Sequence, residues 1–299
     1  ATEANNLALR GVVRNLKSQI PALPAGRSNL KSFQTPRIIV SAIEHESVLE
    51  TARDLEREGV EVIYLPVSRA GLVDLEKLKK ALNKKTILVS IMYANNEIGT
   101  IQPIFEIAEI IRNFRNRISN FSAKGGSASG GQLPISNYPL FHTDAVQALP
   151  YLDCDVNNLG VDLMTISAHK IYGSKGMGLL YRRIPNAKIL NPIITGGGQE
   201  FGLRSGTENV PYIVGFGKAV ELAVSLRNRE SGRLSKLRDY FWRQIKKLYP
   251  QAELNGPDAR TLKRLPNNLN IYFPGAPANE FLIRMDLAGI AASTGSACS

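Results

Sequence analysis

The chain has 299 residues, with 37 Lys and Arg against 26 Asp and Glu (net charge +11), 43% hydrophobic residues and two cysteines. This length allows one large domain or two smaller ones around a substantial core, and two distant thiols, Cys154 and Cys298, exclude a disulfide-stapled scaffold and fit a reducing, cytoplasmic setting. No run approaches the ~18 consecutive apolar residues of a membrane span, the opening Ala1-Thr2-Glu3-Ala4-Asn5-Asn6 has no apolar signal core, and the dispersed basic residues disfavour nucleic acid as the direct primary partner.

In chain order, short β-branched apolar runs alternate with segments of helical period, the rhythm of a mostly parallel α/β sheet covered by helices. Strands are predicted over Arg37–Ile43, Val60–Val67, Thr86–Tyr93, Leu140–Thr143, Leu163–Ser167 and Gly178–Arg182. Helices are predicted over Ser47–Glu58, stopped by Gly59, and over Ile104–Ile118. Residues 119–137, with Lys124-Gly125-Gly126-Ser127-Ala128-Ser129-Gly130-Gly131, have the composition of a mobile surface insertion. After Glu208 the pattern predicts two long helices, Val210–Leu226 and Leu234–Leu248, then a strand at Asn268–Phe273 and a helix at Asn279–Leu287. The reading is a large α/β domain over 1–230 and part of a smaller α+β domain over 231–299.

The densest chemical cluster is Thr165-Ile166-Ser167-Ala168-His169-Lys170-Ile171-Tyr172-Gly173, where a buried strand ends in Ser, His and Lys. Strand ends are where α/β sheets place ligands. A Lys there is ordinarily a solvated charge, but a Lys desolvated beside hydrogen-bonding groups can lose its proton and attack a carbonyl as a Schiff-base nucleophile. A second apolar strand ends in His142-Thr143-Asp144-Ala145-Val146-Gln147. Asp144 alone reads as a helix cap. Paired with Lys170, it completes what pyridoxal phosphate needs from a protein: a carboxylate for the pyridine nitrogen and an amine for the imine.

These motifs stand in order with Ala1-Thr2-Glu3-Ala4-Asn5-Asn6, Glu44-His45-Glu46, Asn95-Asn96-Glu97-Ile98-Gly99, Arg204-Ser205-Gly206-Thr207 and Ser293-Thr294-Gly295-Ser296-Ala297-Cys298. Together they resemble the cysteine desulfurases of the NifS/IscS type, within the class V aminotransferase family and the fold-type I (aspartate aminotransferase-like) pyridoxal phosphate enzymes. The resemblance covers nearly the whole chain apart from the Gly/Ser insertion.

The resemblance implies a role for each matching residue. Lys170 is the Schiff-base lysine, Asp144 the partner of the pyridinium nitrogen, and Gln147 the contact to the ring hydroxyl. His45 stacks on the ring and moves protons, with Asn96 at its side. Thr2, Ser167 and His169 hold the cofactor phosphate near the first helix N-terminus. Thr207 reaches a partner's phosphate across a two-fold interface, which implies a homodimer. Cys298, among small residues that suit a mobile exposed loop, is the nucleophile, whereas Cys154 reads as a small buried hydrophobe. The implied reaction takes sulfur from L-cysteine, leaving L-alanine and a Cys298 persulfide. An iron–sulfur scaffold or a sulfur-carrier protein for tRNA thiolation would then accept the sulfur. No resident metal is implied, although Cys298 could transiently ligate an iron–sulfur cluster. An aminotransferase of the same fold has no need of the Cys298 loop; a selenocysteine lyase shares much of the site. The third reading is a catalytically silent sulfur-trafficking scaffold or remnant, against which Lys170, Asp144 and His169 stand intact.

The chain departs from the family at both ends. Relatives ordinarily continue past the cysteine loop, where an Arg binds the substrate carboxylate, and carry residues before the Ala-Thr motif. The 299 residues taken alone are therefore expected to expose an apolar face and to be inactive or poorly folded, and the full-length protein to be a desulfurase.

Overall fold

A computed structural model describes residues 1–19, 35–123, 138–183, 189–259, 261 and 263–295. Its frame is a six-stranded sheet in the order β2-β1-β3-β4-β5-β6, built from β1 (Arg37–Ser41), β2 (Glu61–Leu65), β3 (Thr86–Ser90), β4 (Leu140–Asp144), β5 (Leu163–Ser167) and β6 (Gly178–Arg182). The first five strands pair in parallel and β6 runs antiparallel to β5.

Alternation along each strand feeds two cores. Ile38 and Val40 of β1 join Leu9, Val12, Val13 and Leu16 of α1 (Thr2–Gln19) and Val48, Ala52 and Leu55 of α2 (Glu46–Arg57) on one face. Ile39, Val89, Met164 and Ile166 pack on the other face against Leu78 of α3 (Leu75–Ala81) and Ile104, Ile107, Ile111 and Phe114 of α4 (Ile104–Ala123). The outcome is the mostly parallel α/β sheet covered by helices that the alternating pattern predicts.

The first three expected strands run longer than the observed ones. β1 and β3 end at Ser41 and Ser90, where the parallel ladder gives way to loops tied across by side chains: Met92 N–H donates to Glu44 Oε1 at 2.7 Å and Asn95 Nδ2 donates to Ile43 O at 2.9 Å. The overshoot has a physical reason, since apolar residues continue past the last strand pair to line the loops. Helix α3, capped by Asp74, was not anticipated.

The two long helices expected after Glu208 are one helix, α6 (Val210–Leu248). The stretch Arg227–Arg233 has no apolar period, but its charges are paired within and beyond the helix: Glu230 with Arg229 and Arg233, and Arg227 with Asp153. Gly232 alone costs only about 1 kcal/mol in a helix interior, too little to break one so long. α6 exposes Val214, Leu237 and Leu248. The strand expected at Asn268–Phe273 shortens to β8 (Ile271–Tyr272), antiparallel to β7 (Glu253–Leu254), and is followed by α7 (Ala278–Leu287). Of the Gly/Ser insertion, residues 124–137 lie outside the described residues, as do Ser296–Ser299. Among the described residues no helix is long and apolar enough to cross a membrane.

Candidate active site

The chain turns back between β1 and β3: β2 lies outside β1, and the later strands lie on the other side. Such a reversal opens a crevice at the carboxyl ends of the strands. His45 follows β1, Asn96 follows β3, Asp144 closes β4, and Ser167, His169 and Lys170 follow β5. β4 and β5 are parallel neighbours with Asp144 opposite Thr165, which brings the carboxylate and lysine segments to one end of the sheet.

Lys170 sits in a single 3-10 turn, Ala168–Ile171, closed by Tyr172 in the left-handed region at φ 63°. That conformation is costly for an aromatic residue and is met mainly where surrounding structure enforces it. Gly173 N–H donates to Ala168 O at 2.9 Å, and a Cβ on Gly173 would stand 3.1 Å from that oxygen. A side chain at Gly173 would therefore crowd the turn that presents Lys170. Ser167 Oγ lies 2.8 Å from His169 Nδ1. Burial, with the nearby positive charge of Lys170, pushes His169 below its usual value, so a neutral ring offers one donor and one acceptor.

Asp144 is 5% exposed. Its Oδ1 accepts Val146 N–H at 3.0 Å and so heads a turn rather than the helix a cap would start, and its Oδ2 accepts Asn5 Nδ2–H at 2.8 Å from α1. Each oxygen retains a lone pair for a further donor. Gln147, one turn on, is half-buried beside this wall. His45 caps α2: its Nδ1 accepts Ser47 N–H at 3.1 Å. Asn95 Oδ1 accepts the N–H groups of Glu97 and Ile98, both at 2.9 Å, and so shapes the loop that carries Asn96. Gly99 ends that loop at φ 69°, where a Cβ would lie 2.6 Å from the Asn268 side chain. Thr2 opens α1, and Arg204 Nε donates to Glu3 Oε1 at 2.9 Å, tying the Arg204-Ser205-Gly206-Thr207 loop to the same helix end. Thr207 itself is exposed. Cys298 lies outside the described residues.

Two of the three histidines are thus at the site. His142 is a structural pin instead, with Nδ1 2.8 Å from Ser90 Oγ and Nε2 3.0 Å from Thr165 Oγ1, and burial pushes it down to about 3. Cys154 is buried, and burial pushes its thiol up to about 12. A Cys298→Ser protein is therefore expected to take up thiol reagent at pH 8 only after unfolding; prompt labelling of the native protein would contradict the burial of Cys154.

The structure adds a group that motif reading passed over. Glu44 is fully buried behind His45, its Oε1 accepting Ser41 Oγ–H at 2.6 Å and Met92 N–H, while Oε2 has no partner. Burial pushes it up to about 8 against those hydrogen bonds, and the Asp144 charge pushes the same way. The native state thus holds a proton that the unfolded chain, with a carboxyl value of 4.5, releases. Stability from this proton is complete below about pH 4.5 and is lost as pH rises toward 8. Glu44→Gln is expected to flatten that decline, by a few kcal/mol across the window. Urea denaturation at several pH values checks this; an unchanged slope would refute it.

Carboxylate, lysine and anion-binding groups stand around one crevice at the ends of a mostly parallel sheet, the arrangement of the fold-type I class. The chain belongs to the aminotransferase class-V family, whose sequence profile matches residues 1–119 and 135–299. It is 44% identical over 298 residues to the cysteine desulfurase IscS of Dictyoglomus turgidum, covering 100% of this chain and 65% of that protein. A solved NifS-like protein superposes with a TM-score of 0.79 at 34% identity, over 98% of this chain and 68% of the other. SspA, solved in complex with cysteine, superposes with a TM-score of 0.70 at 31% identity, over 99% of this chain and 70% of its own. The chain thus spans about 65% of the length of the curated relative.

The residues present fit pyridoxal phosphate, the cofactor of this family. A buried carboxylate with acceptor capacity remaining lies at β4, a lysine lies at the neighbouring β5, and a hydroxyl, an imidazole and a helix N-terminus converge for a phosphate.

Proposed function

We propose that the whole protein is a cysteine desulfurase that takes sulfur from L-cysteine and stores it as a Cys298 persulfide. The observation that carries the reading is the juxtaposition of Asp144 and the Lys170 turn at the ends of two parallel neighbours, in a chain 44% identical to an IscS desulfurase.

Pyridoxal phosphate supplies, when bound, the electron sink that stabilises negative charge at the substrate α-carbon. Asp144 holds the proton on its ring nitrogen, and Gln147 meets its hydroxyl. Thr2, Ser167 and His169 bind its phosphate, with Thr207 of a partner subunit completing that cup in a homodimer. His45 and Asn96 form the ring-facing wall. Lys170 removes the proton from the substrate α-carbon. The Cys298 thiolate attacks the substrate sulfur: an S–S bond forms, the C–S bond breaks, and its electron pair passes to the substrate carbon. That carbon takes a proton, Lys170 returns one to the α-carbon, and L-alanine leaves. An unshifted thiol near 8.5 is only about 3% thiolate at pH 7, so a neighbouring group must favour the thiolate; His45 is the candidate, donating a hydrogen bond to it.

The sulfur then passes to an acceptor protein, an iron–sulfur scaffold or a sulfur carrier, in the cytoplasm. Residues 1–230 form the cofactor domain and 231–299 part of the smaller domain that carries the Cys298 loop. Alanine release from L-cysteine by the whole protein, loaded with pyridoxal phosphate and supplied with a thiol reductant, tests the reading. Turnover at equal rates of alanine and sulfide is expected, and alanine-free transamination products would overturn it.

A further inference from the structure

The walls of the crevice are joined by a continuous hydrogen-bonded path that the roles above do not use. Asn5, on the buried face of α1, is fully buried. Its amide nitrogen donates to Asp144 Oδ2 at 2.8 Å and to Ser47 Oγ at 2.8 Å. A carboxylate oxygen only accepts, so the amide atom facing it is the nitrogen, and both of its hydrogens are then spent. Ser47 Oγ, having accepted one hydrogen from Asn5, has its own hydrogen to give, and His45 Nδ1 lies 2.9 Å away. Ser47 N–H donates to the same Nδ1 at 3.1 Å.

We propose that Asn5 and Ser47 are positioning residues, a strap that ties the Asp144 carboxylate to the His45 imidazole and holds His45 as the tautomer with its proton on Nε2. Two donors converge on Nδ1, so that nitrogen carries no hydrogen in the neutral ring, and the tautomer follows from the geometry. Asp144 orients the Asn5 amide, the amide orients the Ser47 hydroxyl, and the hydroxyl orients the ring. The strap leaves Asn5 Oδ1 buried without a partner, an arrangement that costs stability and calls for an explanation; directing both amide hydrogens along the path supplies one. Consequently His45 presents an N–H, not a lone pair, at its Nε2 edge. In the reaction proposed above, the neutral ring enters as a hydrogen-bond donor through Nε2, which leaves removal of the substrate α-proton to Lys170.

The tautomer part rests on geometry alone and the kinetic part on the desulfurase reading, so the two fail separately. With three histidines in the chain, long-range proton–nitrogen spectra of the 15N-labelled whole protein, assigned with His→Gln variants, read the tautomer of His45 directly. The expected result is a bare Nδ1 and a protonated Nε2 in the parent. In Ser47→Ala and Asn5→Ala, mixing of the two forms is expected, with kcat lowered about 10- to 100-fold and KM for L-cysteine nearly unchanged. Ser47→Thr is expected to restore both. Unchanged His142 resonances report that each variant folds. A parent His45 protonated on Nδ1, or variants with unaltered His45 resonances and kcat, would overturn the strap. The expected resonances in a parent that releases no alanine would leave the strap standing and overturn the desulfurase reading instead.

Discussion

Lys170→Ala is expected to remove the visible absorbance of bound pyridoxal phosphate and to lower alanine release from L-cysteine by about a thousand-fold or more, the scale of losing a group that acts covalently. The turn that carries Lys170 makes the assignment specific. It begins where β5 leaves the sheet, Ala168 N–H is anchored to Met177 O at 3.1 Å, and the left-handed Tyr172 and Gly173 fold the chain back on itself. These anchors are backbone groups, so the variant should fold. Lys175, five residues on, serves as the control: Lys175→Ala should keep the absorbance. A Lys170→Ala protein that retained both band and turnover would remove Lys170 from the chemistry.

Cys298→Ala is expected to do the opposite with the spectrum and the same with turnover. The groups that would hold the cofactor are the strand-end residues around Asp144 and Lys170, so cofactor absorbance and its response to L-cysteine should survive. Persulfide formation should vanish and alanine release should fall by about a thousand-fold or more, because the substrate sulfur then has no thiolate to move to. Cys154 cannot substitute. Its thiol is buried, with burial pushing it up to about 12, beside Arg227 and Asp153. Persulfide on the Cys298→Ala protein would overturn the assignment of the nucleophile.

Much of this was legible in the sequence because the site stands at strand ends, and strands announce themselves as β-branched apolar runs. β4, β5 and β6 fall within a residue of the expected positions, and their C-terminal polar residues, Asp144, Ser167 and Lys170, come together as their positions implied. α6 was misread because periodicity reports only the apolar face. Through Arg227–Arg233 the helix is sustained by ion pairs, which leave no apolar spacing to detect. His142 sits in a motif with Asp144, yet on the strand its side chain is directed between neighbours, to Ser90 and Thr165. Two apart, His142 and Asp144 share a face of β4, but Asp144 closes the strand whereas His142 lies within the ladder.

Glu44, Asn5 and Ser47 went unread for a different reason. Their partners are 48, 139 and 42 residues away, and no local pattern encodes such pairings. A signal does exist. Asn5 precedes Leu9, Val12 and Leu16 on one helical stripe, and Ser47 precedes Thr51 and Leu55 on another. A small polar residue at the head of a buried stripe must find a hydrogen-bond partner inside the protein. Both helices lead away from the same crevice, and both stripes begin at it.

The most direct test of the central claim is a mass measurement on the peptide that carries Cys298, taken after the whole protein, loaded with pyridoxal phosphate, has met L-cysteine without reductant. The account predicts a gain of one sulfur on that peptide, an equal amount of L-alanine in solution, and neither in Lys170→Ala. Alanine formed with no sulfur on Cys298, or a ketoacid in place of alanine, would contradict it.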